Sequence, residues 1–462
     1  MAPPPRRPPE LMEEVIEEVL LRFPPDDPAS LVRAALVSKR WCRLISGRGF
    51  RRRFRELHRA APLLGFVCNV VCNPDGGSPD NARFVPTSSC LARVDRRECR
   101  ALDARHGRIL LHHCAARGDG RHLYWADSLE PFVVWDPVTG AQLQLPHLPP
   151  ERCYPWPVNF NATVLCSGGG ACDNLDCHGG NFTVVFVGIC DDGMLAYVYS
   201  SEACAWSEPT IAQHPHDNVD LVPAALVGNS VYFVFRFSTR VLKYDLGKRE
   251  MSVLDIPSTS YGRIILMTTD EGRLGFTRAD EFKLYLWSME VGPQDDAVWT
   301  QDKVIELRNL LPAAALLSSP DVAGYANGLG VIVIGTEDGF FTVDTKKSNQ
   351  ARKVGEGIAC MKDGDVDIGY GHNFYTVVPY TGFYFPALQA DSVSVGPSVR
   401  VRLLPQLPQG RRRTCCPLSP PPLPLAAWAD ATPCRAGRLC HCLVPRRPLP
   451  PRAARAAAAT PG

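Results

Sequence analysis

The first sixty residues carry apolar side chains at helical spacing, in three short runs that prolines and small polar residues separate. Pro9 suits the first position of a helix, where no backbone N–H donor is needed, and Pro24 ends the run because proline disfavours α geometry in the residue before it. Between them, apolar residues recur at i, i+4, i+5, i+8 and i+9, which predicts a helix with one apolar face: Leu11, Val15, Ile16, Val19 and Leu20.

Two further helices are predicted before residue 50. Asp27 and Pro28 form the pair expected at a helix start, an N-cap followed by a proline at the first position, and Leu31 begins the apolar face behind them. Ser38 can cap a third helix that carries Trp41. Three helices this short cannot bury all their apolar residues against one another, so the surplus predicts a protein partner.

The order of these residues resembles the F-box, the motif that docks a substrate receptor onto the Skp-type adaptor of an SCF ubiquitin ligase. Two departures from the usual pattern are Pro8, where leucine is common, and Phe23, which replaces the usual leucine before Pro24. The alternative is a generic helical hairpin with a core tryptophan. The matching residues are Pro9, Ile16, Leu20, Phe23-Pro24, Leu36-Val37-Ser38-Lys39-Arg40-Trp41, Leu44-Ile45-Ser46 and Phe50-Arg51-Arg52.

From about Pro62 the helical period gives way to short β-rich runs separated by Gly, Asp, Asn and Pro. Such evenly punctuated strands favour a closed all-β architecture over βαβ units. A strand followed by a polar turn also repeats, at spacings of 41, 64, 45, 43 and 56 residues. This is the period of a four-stranded β-propeller blade, and it predicts about six to eight blades; the alternative is a large β-sandwich pair. The repeated turns contain Asp95, Asp136, Ser200, Asp245, Ser288 and Asp344.

The β-rich part also resembles the F-box-associated β domain of plant, especially cereal, F-box proteins. The matching segments are residues 62–66, 132–140, 242–257, 375–380 and 383–388. The fold class is therefore predicted as multi-domain α plus all-β, with a three-helix F-box, a β-propeller-like domain and a disordered tail. The predicted boundaries are 1–7 for a disordered N-terminus, 8–60 for the F-box, 62–388 for the β domain and 389–462 for the tail.

The tail is predicted to be disordered because its Pro, Arg and Ala residues cannot bury enough apolar surface to offset the entropy of ordering. Family members usually stop near residue 388, and our hypothesis is that this disordered tail is an extension read from GC-rich sequence. A tail peptide detected in native protein would count against that origin.

Composition leaves few other classes open. Of the 462 residues 45% are hydrophobic and 21% charged, as in a globular protein, and the net charge of +2 gives no reason to expect nucleic-acid or membrane partners. No apolar run approaches the roughly 20 residues of a membrane helix, and no signal peptide is recognisable. The 18 cysteines are expected to be mostly buried free thiols in a cytoplasmic or nuclear protein.

Metal and cofactor sites are weakly indicated. Cys166, Cys172, Cys177 and His178 are the best zinc candidates, but their spacing differs from the two close pairs of common zinc sites, so a glycine-rich surface loop is the preferred interpretation. The alternating acids at 363–367 lack the glycine and glutamate of a calcium loop. No catalytic motif is found, and we expect no metal, no cofactor and no enzymatic activity.

The resemblance implies a substrate-recognition subunit of an SCF-type ubiquitin ligase, with the Skp-type adaptor and an unidentified protein substrate as partners. Alternatives are a non-degradative binding scaffold and, less favoured, an enzyme built on the propeller. Substrate is expected on one face of the β domain, where loops converge. The adaptor-binding residues implied are Pro9, Leu11, Ile16, Leu20, Pro24, Leu31, Val37 and Trp41.

Overall fold

The computed structural model divides the chain into two compact units, Met1–Pro417 and Leu418–Gly462, and all described residues belong to the first. Our expectations for the acids at 363–367, for Cys177 and His178, and for nearly all of the tail therefore lie outside the described residues. The residues that the structure describes are 11–70, 81–113, 131–149, 159–168, 172, 180–190, 193–213, 217–236, 238–257, 263–291, 297–346, 350–356, 376–386 and 413–414.

The N-terminal domain consists of four helices: α1 (Glu13–Leu21), α2 (Pro28–Val37), α3 (Lys39–Ser46) and α4 (Arg48–His58). The three predicted helices are confirmed, but a three-helix domain is wrong by one helix. Two phenylalanines four residues apart, Phe50 and Phe54, are the buried face of α4 and were its sequence signal. Seven of the eleven residues of α4 are charged or histidine, and only two of its residues are buried apolar ones. The apolar pattern was therefore too weak to predict this helix.

The remaining described chain is almost entirely β-structure, organised as six antiparallel sheets. The strands in chain order are β1 (Leu63–Val70), β2 (Asn81–Pro86), β3 (Val94–Arg97), β4 (Cys99–Arg105), β5 (Arg108–His113), β6 (Phe132–Trp135), β7 (Gln142–Gln144), β8 (Asn159–Cys166), β9 (Phe182–Cys190), β10 (Gly193–Ser200), β11 (Ala205–Trp206), β12 (Thr210–Ala212), β13 (Asn218–Val219), β14 (Ala225–Val227), β15 (Ser230–Arg236), β16 (Arg240–Asp245), β17 (Glu250–Asp255), β18 (Ile264–Thr268), β19 (Leu274–Asp280), β20 (Lys283–Val291), β21 (Ala297–Glu306), β22 (Asp321–Ala326), β23 (Val331–Thr336), β24 (Gly339–Asp344), β25 (Ala351–Glu356), β26 (Thr376–Thr381) and β27 (Arg413–Thr414).

The six sheets are the blades of a β-propeller. In sheet order they are β26-β1-β2-β3, β4 to β7, β8 to β11, β13 to β17, β18 to β21 and β22 to β25. The first strand of each blade contacts the first strand of the next around a central channel, from β4 to β8 and onward to β22 and β26. The predicted propeller is confirmed, with six blades. In addition, β27 pairs in parallel with β7 at the outer edge of the second blade.

The ring closes within the first blade, where the chain's last long strand joins its first. β26 pairs antiparallel with β1, with Gly65 opposite Tyr380 and Asn69 opposite Thr376. This arrangement removes the free sheet edge that an open ring would leave. It also brings the segment after β26 back to the start of β1, directly behind the helical domain.

Buried amides join neighbouring blades. The side-chain amide of Asn69 in blade 1 accepts from the backbone N–H of Ala101 in blade 2 at 2.8 Å and donates to the carbonyl of the same residue at 2.7 Å. This pair of hydrogen bonds resembles the pairing of two residues in neighbouring β-strands. Asn161 in blade 3 donates to the carbonyls of Asp220 and Val222, both at 2.8 Å. Burial leaves these amides no water to bind, so losing the bonds would be costly.

The repeated aspartates close the turns between the third and fourth strands. The carboxylate of Asp136 accepts from Val138 N–H at 2.8 Å, and that of Asp245 accepts from Gly247 and Lys248 N–H, each at 2.9 Å. These are Asx turns, in which a side chain replaces a backbone acceptor. Five of the six predicted repeat positions lie on or just after the third strand of successive blades; Asp95 is the exception, because it lies in the fourth strand of blade 1.

Candidate partner-binding surface of the helical domain

Helix α1 has two apolar faces. Ile16, Leu20 and Leu21 point into the helical core, together with apolar residues of the other three helices. Leu11 and Met12, just before the helix, and Val15 and Val19 within it have 40–67% of their surface exposed. The sequence pattern combined both sets into one face, and the structure separates them: one set holds the domain together and the other faces outward.

A second exposed apolar pair lies at the end of α2, where Leu36 and Val37 are 51% and 64% exposed. The chain turns sharply after Val37, because Ser38 is extended and its hydroxyl accepts the N–H of Trp41 at 3.1 Å to cap α3, as predicted. Arg40 then forms an ion pair with Glu13 at 3.5 Å, which places the start of α3 beside the start of α1. We call the exposed set Leu11, Met12, Val15, Val19, Leu36 and Val37 the outer apolar surface.

The eight predicted adaptor-binding residues fall into three groups. Leu11, Pro24 and Val37 are exposed, whereas Ile16, Leu20 and Leu31 are buried in the helical core and Trp41 packs partly against it. Pro9 lies outside the described residues. The residues that sequence reasoning did not select are Met12, Val15, Val19 and Leu36, although two of them were already part of the α1 pattern.

Helix α4 contacts helix α1 within the helical domain, and it also contacts the propeller. Arg53 bridges Glu17 of α1 at 2.9 Å, and the Nε2 atom of His58 lies 2.9 Å from the carbonyl oxygen of Leu21. Arg52 pairs with Glu56 one turn later at 2.8 Å. Arg52 and Arg53 therefore make specific contacts within this domain.

The junction with the propeller is formed by the segment that follows β26. The ring of Phe54 lies edge-on to the rings of Phe383 and Phe385, at centroid distances of 6.1 and 5.7 Å. Arg51 and Arg55 lie over the ring of Phe385 at 5.5 and 5.3 Å. Burial, and secondly the charge of Arg55, lower the pKa of Arg51. A segment that the sequence identified only by family likeness thus connects the two domains.

Two further contacts complete the junction. The hydroxyl of Ser46 donates to the carbonyl of Pro386 at 3.2 Å. Val32 of α2 belongs to the same apolar cluster as Leu64 and Tyr384 of the propeller, and burial raises the pKa of the Tyr384 phenol. The helical domain is therefore held on the propeller through a continuous packed contact, and the outer apolar surface is not used in it.

The junction overlies one mouth of the propeller channel. A cavity of about 370 Å³ lies there, lined by Arg55 and Arg59 from the helical side and by Asp103, His106 and Tyr325 from the blades. The carboxylate of Asp103 is buried, and it accepts from Arg105 at 2.9 Å and from the hydroxyl of Thr163. Burial, followed by the charges of Arg105 and Arg108, lowers the pKa of His106 to about 4.

Most of the described cysteines are free thiols, as predicted. Seven described cysteines are free, and Cys42, Cys68 and Cys99 are among the buried ones. Burial raises the pKa of Cys68 to about 12, which keeps this thiol protonated and unreactive. Cys190 departs from the expectation, since it is disulfide-bonded.

Comparison with known proteins identifies the helical domain. Residues 9–53 match the family model of the F-box domain. No curated protein matches the chain. Among the described residues, no helix is both long and apolar enough to span a membrane.

The solved structures to which the chain is similar share little sequence with it. TolB from Acinetobacter baumannii is 12% identical, with a TM-score of 0.34 over 66% of this chain and 68% of that one. A protein from Lactobacillus plantarum is 9% identical, with a TM-score of 0.37 over 63% and 82%. The WD40 domain of SCAP from fission yeast is 12% identical, with a TM-score of 0.33 over 63% and 58%. The six-bladed assignment rests on the sheet order itself.

Proposed function

We propose that this chain, an F-box domain carried on a six-bladed β-propeller, is the substrate-recognition subunit of an SCF-type ubiquitin ligase. In this role it docks on the Skp-type adaptor through the outer apolar surface and presents a protein substrate for ubiquitination and degradation. It needs no active site, because the conjugating enzyme that the cullin–RING module carries transfers ubiquitin. The receptor contributes proximity, which makes the encounter between substrate and enzyme effectively intramolecular.

The outer apolar surface is the observation that carries the proposal. Seven large apolar side chains on a domain of four short helices remain exposed, six of them in the outer apolar surface and the seventh, Leu57, on α4, although the same domain has a packed core of its own. Exposed apolar groups in such number indicate a protein interface, and burying the exposed half of each would contribute about 0.8–1.5 kcal/mol. Within the adaptor proposal, Leu11 and Val37 make direct contacts, while Ile16, Leu20 and Leu31 hold the helices that present them.

The junction supports the second half of the proposal. A receptor must hold its substrate at a defined distance from the enzyme, and a packed contact between Phe54 and Phe385 is better suited to this than a flexible linker. The short connection from α4 at His58 to β1 at Leu63 adds little freedom. The F-box thus serves as a rigid mount for the propeller.

Strand directions favour one propeller face for substrate. The turns between first and second strands, such as that at His106, lie on the F-box side, where Arg55 and Arg59 cover part of the channel mouth. The connections from one blade to the next therefore emerge on the opposite face. On that face a 3-10 helix (Leu307–Asn309) places Arg308 over the ring of Phe282 at 4.3 Å, and Leu317 is 79% exposed. We assign substrate binding to this opposite face.

The degradative role is tested in cells that express the full chain or a Val15→Asp/Val19→Asp variant, each used as bait. Quantitative mass spectrometry compares captured proteins with and without a proteasome inhibitor. A receptor predicts propeller partners that accumulate when the variant replaces the wild type, and also when the proteasome is inhibited. Partners whose abundance is unchanged in both comparisons would indicate a non-degradative scaffold instead.

A further inference from the structure

Three potential metal ligands from two blades converge beside the channel cavity. They are His106, in the turn between β4 and β5, Cys166, at the end of β8, and Cys172, in the connection that follows β8. Their ligating atoms all lie within 4.8 Å of one another, and the Sγ atom of Cys172 is 3.7 Å from the Nδ1 atom of His106. Sequence spacing alone did not reveal the set, because His106 lies sixty residues before Cys166.

We propose that His106, Cys166 and Cys172 bind a zinc ion that fastens blade 2 to blade 3. Zinc takes sulfur ligands at about 2.3 Å and nitrogen ligands at about 2.0–2.1 Å in tetrahedral geometry, which sets sulfur and nitrogen about 3.6 Å apart. The sulfur–nitrogen distance of 3.7 Å matches that requirement before any ion is bound. Soft thiolate and imidazole donors also favour zinc over magnesium or calcium.

The surroundings are compatible with this ion. Two thiolates balance the charge of Zn²⁺, so the neutral site does not repel the two nearby arginines. Arg105 is engaged with the carboxylate of Asp103 at 2.9 Å, and Arg108 donates to the carbonyl of Gly180 at 2.5 Å while lying over the ring of Phe182. Since His106 and Cys172 both line the cavity, the fourth zinc position can be filled by water from there.

The backbone around the cluster suits the assignment. His106 has a φ of 52° and is followed by Gly107 at 76°, so two successive left-handed residues form the tight turn that presents the imidazole. Among non-glycine residues, histidine and asparagine are both enriched in this left-handed conformation. A His106→Asn variant therefore removes the nitrogen ligand while preserving the turn.

The experiment uses full-length protein expressed in zinc-supplemented medium and desalted under reducing conditions. We expect about one zinc per chain by elemental analysis, and a cobalt-substituted form with the near-ultraviolet charge-transfer absorption of thiolate–cobalt bonds. His106→Asn and Cys172→Ser should each lower retained zinc at least tenfold, whereas Cys204→Ser, a half-buried cysteine outside the cluster, should leave it unchanged.

Two results would overturn the proposal. One is a wild-type protein that retains no zinc and gives no thiolate–cobalt absorption. The other is zinc that persists at full stoichiometry in Cys172→Ser. Circular dichroism of each variant, compared with wild type, shows that lost zinc reflects a lost ligand and not an unfolded propeller. Zinc content is measured without the adaptor. A failure of this test would therefore not count against the proposed ligase role, and a failure of the ligase test would not count against the zinc site.

Discussion

The ring of Phe54 in the fourth F-box helix lies edge-on to the ring of Phe385, at a centroid distance of 5.7 Å and an interplanar angle of 79°. These residues are 331 positions apart in sequence, yet they form one of the contacts that join the F-box to the propeller. Phe385 follows the strand that closes the ring, so one continuous segment of chain both closes the propeller and contacts the F-box.

Truncation of Phe385 should therefore loosen the junction without unfolding either domain. Replacing this half-buried aromatic ring by alanine removes its packing on Phe54 and two arginine contacts, at a cost of about 1–3 kcal/mol. We expect Phe385→Ala to show faster proteolysis between residues 58 and 63 and a lower first unfolding transition. The exposed Leu317→Ala serves as the control, and equal proteolysis of both variants would contradict the mounting role.

The closing strand should depend on the hydroxyl of Tyr380. The oxygen of this buried hydroxyl lies 3.2 Å from both the carbonyl oxygen of Gly107 and the carboxylate of Asp136, which share its single proton, and burial raises the pKa of the phenol well above its usual value. Tyr380→Phe leaves the ring in place against Phe84 but removes the buried proton donor from Gly107 and Asp136, and the carboxylate of Asp136 keeps only its turn bonds, such as that from Val138. Chemical denaturation should show a loss of about 1–3 kcal/mol. A change below about 0.5 kcal/mol, the range of ordinary surface substitutions, would show that closure does not rely on this bond.

Contact between the first strands of blades 6 and 1 should require glycine at position 324. A Cβ atom built there would lie 2.2 Å from the carbonyl oxygen of Val377, which is backbone and cannot turn away. We expect Gly324→Ala to destabilise the propeller by about 1–3 kcal/mol through overpacking. A Cβ atom on Gly49 in α4 would meet nothing within 4 Å beyond its own helix backbone, so Gly49→Ala should be neutral or slightly stabilising. Similar denaturation midpoints for the two variants would refute the close-approach argument.

Stability should fall as the pH falls below about 6.5, the ordinary histidine pKa. Burial, followed by the charges of Arg100 and His113, lowers the pKa of His112 to about 3. Between these values the unfolded chain binds a proton that the folded chain does not, so acid favours unfolding, by up to about 2 kcal/mol between pH 6.5 and 5.0. The pKa of His106 is also lowered, to about 4, so its protonation likewise destabilises the fold as the pH falls.

His112→Phe removes the titrating group among the rings of Phe132 and Phe160. We expect its free energy of unfolding, measured from pH 7 to pH 5, to decline about half as steeply as that of the wild type. The slope is the readout, whatever the effect on stability at pH 7. Parallel wild-type and variant curves would mean that His112 binds protons equally in the folded and unfolded states, so that folding does not lower its pKa.

Periodicity predicted three of the four helices and the repeating strand pattern of the propeller, because these elements are short and bounded by proline, glycine or aspartate. The period of about 40–50 residues indicated blades because Asp136, Asp245 and Asp344 cap equivalent turns. The blade number required the structure, since β26 supplies a strand to the blade that β1 begins, and a closure between chain ends leaves no periodic signal.

The candidate site was predicted in outline and not in detail. A helical pattern shows which residues are apolar, but it cannot divide Ile16 and Leu20, which are buried, from Val15 and Val19, which are exposed. That division depends on where α4 packs, and α4 was not recognised. The contacts of Phe385 and the approach of His106 to Cys166 are likewise long-range, and neither follows from local sequence.

The proposed role in a ubiquitin ligase depends most on adaptor binding by the outer apolar surface. The direct measurement is the affinity of full-length protein for a purified Skp-type adaptor by calorimetry, with wild type beside Val15→Asp/Val19→Asp. Val298→Asp/Val304→Asp, two similarly exposed valines of β21, is the matched control. Val15 and Val19 still expose about half of their surface, so burying the remainder contributes about 1.5–3 kcal/mol for the pair, and the first variant should lose at least about 10-fold in affinity and the control none. Equal binding by all three proteins, each with native circular dichroism, would contradict the assignment of this surface.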